Sequence, residues 1–221
     1  MTVTSVGFMP VAPLLVPAVA GGSAGLDDDL RRACLTVAKR LTTAAPAELV
    51  VAAPTNPPGA WDESHTWDFA GFGVPRPGPI DRPRLPWALG LGAWLLDEIG
   101  WSGPRRYVGV DRTVMADDEP ADDVAVLALG DGSARRTEKA PGHFDVRAES
   151  FDNEIARLLA AGDAVGLATI DSELSDELMC AGLPVWRWLG GLIGSRRVGL
   201  AELMVHAAPY GVGYFVASWG L

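Results

Sequence analysis

The residues best able to do chemistry crowd into one short stretch, Gly130-Asp131-Gly132-Ser133-Ala134-Arg135-Arg136. A carboxylate and a hydroxyl two positions apart can hold or pass a proton or ligate an ion. The two guanidiniums behind them can clamp a carboxylate or phosphate through paired N–H donors. Each residue also has a plainer use. Asp131 and Ser133 can accept backbone N–H groups in a turn, and Arg135 and Arg136 can sit in solvent. His143, after Pro141-Gly142 on the same loop, is either an acid–base group or a turn residue bonded to backbone. His65, in a separate polar loop, is either a surface residue or a replacement ligand or base. His206 lies in the apolar run Leu203–Ala208, as expected for a core or sheet-edge histidine. Glu177 and Cys180 fall together near a helix end, where Cys180 reads as a buried apolar thiol.

Several standard chemistries lack their signatures. There is no Walker A sequence, no GxSxG and no HExxH. Gly130-Asp-Gly132 lacks the third glycine that would open a helix in a dinucleotide site. A Ser–His–Asp arrangement of Ser133 with His143 or His206 has no local geometry to support it.

The reactive stretch is positioned by what precedes it. Val124–Leu129 is uninterruptedly apolar, the pattern of a parallel strand covered on both faces. In an open α/β sheet ligands bind beyond the carboxyl ends of such strands. Further strands are predicted over 3–9, 48–53, 106–110, 204–208 and 213–219, the last two as a hairpin across Pro209-Tyr210-Gly211. Helices are predicted over 26–44, 86–99, 148–161, 172–180 and 183–193, the first opening on Asp27-Asp28-Asp29, which suits the helix dipole. Strands alternating with helices and closing on a hairpin give an α/β fold, a single three-layer domain over 1–221 with a central mixed β-sheet flanked by helices. Between Thr55 and Pro86 the chain is rich in Gly, Pro and Trp and too long for an ordinary connector. Trp61, Trp67, Trp87 and Trp94 in and beyond it are either packing residues or a homo-oligomer interface built by 55–90.

Composition narrows the partners. Eighteen Lys and Arg stand against 28 Asp and Glu, a formal charge of −10. That balance disfavours nucleic acid and anionic membrane surfaces. Basic residues come at most in pairs. Cys34 and Cys180 fit neither a disulfide framework nor a zinc spacing, and the expectation is a soluble cytoplasmic protein.

Four segments together resemble the LigB-like domain of class III extradiol ring-cleavage dioxygenases, the superfamily that includes the MEMO proteins, in an actinobacterial branch. They are the first strand running into Met9-Pro-Val-Ala-Pro-Leu-Leu-Val-Pro17; Gly130-Asp-Gly-Ser-Ala134 with Pro141-Gly and Phe151-Asp152; Asp171–Cys180 with Ala181-Gly-Leu-Pro184; and Ala208-Pro-Tyr-Gly-Val-Gly-Tyr214. The resemblance implies a mononuclear iron(II) held by two His and a carboxylate, with room for a catechol and O₂. Where the family pattern places histidines, this chain has Val11 and Ala134, which can neither ligate nor move a proton. The expected function is therefore a divergent non-oxygenase enzyme or a catalytically silent small-molecule-binding protein. The alternative is an active iron(II) dioxygenase with a rearranged ligand set, using Fe(II) or another divalent metal. Asp131, Ser133, His143 and His65 are the expected catalytic residues. Arg135, Arg136, Glu177 and Tyr210 are the expected contacts to a small aromatic or anionic ligand.

Overall fold

A computed structural model of the chain describes residues 2–21, 28–74, 81–114 and 123–221. Seven strands form one sheet: β1 (Val3–Met9), β2 (Glu48–Pro54), β3 (Gly59–Asp62), β4 (Arg105–Val110), β5 (Val124–Leu129), β6 (Leu200–Ala207) and β7 (Tyr214–Gly220). Their order is β3-β4-β2-β5-β1-β7-β6. The inner four, β4, β2, β5 and β1, are parallel. β3 adds antiparallel at one edge, and the β6–β7 hairpin adds antiparallel beside β1. The sheet is mixed, as the alternating pattern and closing hairpin predict.

Helices α1 (Asp28–Thr43) and α2 (Trp87–Glu98) cover one face. Helices α3 (Ala148–Ala161), α4 (Ala164–Ala168) and α6 (Leu183–Ile193) cover the other, and the short α5 (Ser172–Glu177) connects α4 to α6. The strands alternate between these layers. Leu49, Val51, Leu127 and Leu129 pack under α1 and α2; Val50, Ala52, Val126 and Ala128 pack under the other helices. Every residue of β5 is at most 1% exposed. Burying a Val or Leu side chain is worth about 1.5–3 kcal/mol, so a strand apolar on both sides is stable only between two layers.

Helix ends follow local chemistry. Asp171 caps α5 by accepting the Glu173 and Leu174 N–H groups at 2.9 and 3.2 Å. Asp163 caps α4 through the Gly166 N–H at 2.8 Å. α3 closes on Gly162 at φ 67°, a left-handed turn that suits a residue without Cβ. The predicted helix over 172–180 is shorter than expected. It ends at Glu177, and Met179 adopts a left-handed φ of 56°. Of the first predicted helix, Leu26 and Asp27 lie outside the described residues. β3 and α4 are additions to the predicted elements. β6 begins at Leu200, four residues earlier than predicted, because a register shift between Leu203 and Val205 breaks the alternation that would mark it. Among the described residues no helix is long and apolar enough to cross a membrane.

Candidate functional site

Beyond the carboxyl ends of β1, β2, β4 and β5 the layers part around a crevice of about 570 Å³. Each strand end contributes to its wall: Val11 after β1, Thr55 and Asn56 after β2, Asp111 to Thr113 after β4, and Asp131 after β5. The opposite side is closed by Trp87 and Ala88 at the start of α2 and by Ala181 and Pro184 beside α6. Trp87 is 44% exposed and meets the exposed Phe72 edge-on at 5.7 Å, forming an aromatic lip.

Asp131 is the ionisable group set deepest in this crevice. Its Oδ1 accepts the Val11 N–H at 2.7 Å. Burial outweighs that single bond and pushes the carboxyl up to about 7. The carboxyl is therefore partly protonated near neutral pH. Tyr214, on β7, lies within electrostatic reach. Burial first, then the charges on Asp131 and Tyr210, push its phenol well up. Asp111 is the opposite case. Its Oδ1 accepts both the N–H and the hydroxyl of Thr113 at 2.7 Å, which holds it below the usual carboxylate range in an exposed turn.

The loop that carries Asp131 is fixed by close backbone approach. A Cβ on Gly130 would lie 2.6 Å from Gly182 Cα, and a Cβ on Gly132 would lie 2.6 Å from Asp152 Oδ1. Gly130 N–H donates to the Met9 carbonyl at 2.9 Å, and the Asp131 carbonyl accepts the Gly182 N–H at 2.8 Å. Both glycines are thus required by packing of strand against helix. Asp152, fully buried on α3, clamps the loop from beneath. It accepts the Ser133 N–H at 2.8 Å and Arg136 Nη1 at 2.9 Å. Burial still pushes its carboxyl upward, since one ion pair does not offset the lost water.

The residues expected from sequence scatter. Asp131 lines the crevice. Ser133 is fully buried and its hydroxyl is committed: it donates to the Leu178 carbonyl at 3.0 Å and accepts the Arg135 N–H at 3.1 Å. Arg136 pairs with the buried Asp152 and does not line the crevice. Arg135 folds against Gly142, its buried Nε without a partner among the described residues. His143 is exposed on a turn at φ 59°, its N–H bonded to the Ala140 carbonyl. Glu177 lies on the surface, paired with Arg147 at 2.6 Å, and Arg147 also bonds Asp145. Tyr210 is half-exposed in the β6–β7 turn. His65 bonds Asp62 at 3.1 Å and lines a separate polar cavity of about 390 Å³ with Arg105 and Tyr107. Arg105 begins β4 and Val110, in the crevice wall, ends it, so His65 and Asp131 serve different ends of the sheet. His206 stacks on Phe215 at 5.0 Å on the edge strand β6, its Nε2 buried without a partner among the described residues.

Sequence reading missed Thr55, Asp111, Arg112 and Thr113. The signal was present: they follow buried parallel strands, as Asp131 does. Trp67, by contrast, is taken up internally, bonding Asp97 at 3.0 Å and stacking on Phe69.

An iron(II) ion held by two His and a carboxylate does not fit these donors. Val11 occupies the loop after β1, Ala134 follows Ser133, and Ser133 is fully buried outside the crevice lining with its hydroxyl bonded to Leu178 and Arg135. Among the described residues no three His, Cys, Asp or Glu side chains gather closely enough to share an ion.

No family model matches the chain, and no curated protein matches it. A crystal structure of the uncharacterized protein JW3007 from Escherichia coli K12 is similar in fold, with a TM-score of 0.54 at 16% identity over 98% of this chain and 100% of that one. At that identity the likeness speaks to the α/β architecture alone.

Proposed function

We propose that this chain is a non-oxygenase, small-molecule-binding protein on a LigB-like scaffold, taking a small phenolic or related aromatic compound into the crevice at the carboxyl ends of β1, β2, β4 and β5. One observation carries the reading: an apolar, aromatic-lipped cleft contains a single deeply set carboxyl, Asp131, poised between protonated and ionised forms near neutral pH. Such a site holds a ring by burial and orients its hydroxyl by one well-placed polar group. Val11 and Ala134 stand where the resemblance expects histidines, so the chain's own residues supply binding and a proton-holding group.

Titration calorimetry and saturation-transfer NMR with phenol test this reading. Saturable binding is expected, weakened severalfold by Trp87→Ala and by Asp131→Asn. No binding, or binding indifferent to both substitutions, overturns it. An oxygen electrode checks the non-oxygenase half: with catechol and added Fe(II), uptake should equal the protein-free rate. Uptake that disappears in Asp131→Asn would restore a metal-dependent reaction.

A further inference from the structure

The crevice does not end at Pro184. A second cavity of about 500 Å³ adjoins it and shares Asp111, Arg112 and Pro184 with it. The two are arms of one groove. The second arm runs along α6, where Trp188 supplies an apolar wall and Arg187 stands beside it. In a chain of net charge −10, this arm places, among the described residues, two guanidiniums, Arg112 and Arg187, against one carboxylate, Asp111. Asp111 is already occupied by Thr113.

The two arginines are differently committed. Arg187 is exposed and donates Nε–H to the Ala168 carbonyl at 3.1 Å, and it forms no ion pair among the described residues. Arg112 is paired with Asp176 on α5, with both partners exposed, at 58% and 42%. An ion pair so open to water is weakly held. Asp176 does not line the groove, whereas Arg112 lines both arms. Arg112 can therefore exchange Asp176 for an anion arriving in the groove at little cost. A fork of N–H donors is the geometry a carboxylate takes best.

We propose that the second arm seats the carboxylate tail of the ligand whose ring occupies the crevice, so that the ligand class is an aryl-alkanoic acid gripped by Arg112 and Arg187. This rests on the reading of the crevice as a ring site. It gives the acidic chain a specific anion seat and turns the Arg112–Asp176 pair into a competitor for the ligand.

Calorimetric titrations at low salt test the seat with four probes: 4-ethylphenol, 3-(4-hydroxyphenyl)propionate, its methyl ester, and 5-(4-hydroxyphenyl)pentanoate. At least one of the two acids is expected to bind about tenfold tighter than the neutral compounds, with a gain that shrinks as salt is added. Arg187→Gln and Arg112→Gln should each remove most of that gain. Arg187, which lines the second arm alone, should leave 4-ethylphenol binding unchanged when replaced, whereas Arg112, in the wall of both arms, is judged by the ratio of acid to neutral affinity. Asp176→Asn should raise affinity for the acid severalfold by releasing Arg112, an effect that a merely structural Arg112 would not produce. Acids that bind no tighter than the neutral probes overturn the seat. So does a gain that survives in the Arg112→Gln, Arg187→Gln double variant, or a fall in acid affinity in Asp176→Asn. If the acids bind in an arginine-dependent way while 4-ethylphenol and the ester do not bind at all, the ring-site reading fails and the anion seat stands. If nothing binds, both fail.

Discussion

At Asp131 a carboxylate is held between two opposing influences. Removal from water favours the protonated form; the Val11 N–H favours the ionised one. Burial wins, and the consequence for stability has a definite sign. The carboxyl's ordinary value is 3.8 and its value in the fold about 7. Stability linked to this group is therefore complete below about pH 4 and falls as pH rises through 7, because the unfolded chain ionises more readily. Asp131→Asn keeps an oxygen for the Val11 N–H and removes the buried charge. At pH 8 the variant should be more stable than the wild type by about 1–3 kcal/mol, and the difference should largely vanish by about pH 3.5, below the carboxyl's ordinary value. Urea unfolding at the two pH values measures both. A constant difference, or a less stable variant at pH 8, would show that Asp131 is better solvated than its place in the crevice indicates. Asp131 could be picked out in the sequence, since strand-end position needs only a local pattern. The commitments of Ser133 and Arg136 could not. Their shared partner, Asp152, lies on a later helix and meets them only through folding.

Two elements meet at the floor of the crevice, the end of β5 and the start of α6, and their closeness depends on Gly130. The nearest atom to an added Cβ is a backbone carbon, Gly182 Cα at 2.6 Å, with the Trp186 indole next at 3.3 Å. Backbone cannot swing aside as a side-chain tip can, so Gly130→Ala must push α6 from the sheet and strain the Gly182–Asp131 bond. A loss of about 1–3 kcal/mol is expected from overpacking of this kind. Phenol binding should weaken as well, since Ala181 and Pro184 move with the helix. Thermal melts and calorimetry on one sample check both; an unaltered melting temperature would mean that the strand–helix contact yields freely. Long helices such as α1 and α3 were legible because each repeats the helical period several times, and β5 because its apolar run is unbroken. β3 is four residues among Gly and Pro, and α4 is five residues. Neither is long enough to display a period. Pairing with β4 and packing against α6 create them.

Over the whole molecule, one sheet is shared by two apolar layers. Residues 49, 51 and 127 belong to the α1–α2 side, while 50, 52 and 126 on the same strands belong to the other. Neither layer has a sheet of its own, so loss of either exposes the reverse face of the strands that the other needs. The architecture predicts a single cooperative unfolding transition despite the 221-residue length. Tryptophans report on both sides: Trp94 packs in the α1–α2 layer, Trp186 and Trp219 in the other. With 5-fluorotryptophan incorporated, the fluorine resonances of all three should lose native intensity at one urea midpoint, coincident with far-UV circular dichroism. Trp94 departing at a lower concentration than Trp186 and Trp219 would mean that α1 and α2 peel from a sheet stabilised by the remaining helices alone. The crevice would then lose Trp87 and its lip before the fold itself fails, and ligand binding would have to be measured well below the global midpoint. A common midpoint instead ties crevice integrity to the fold; on the proposed reading of the crevice, phenol should then raise all three midpoints together, by an amount that grows with the logarithm of its concentration above Kd.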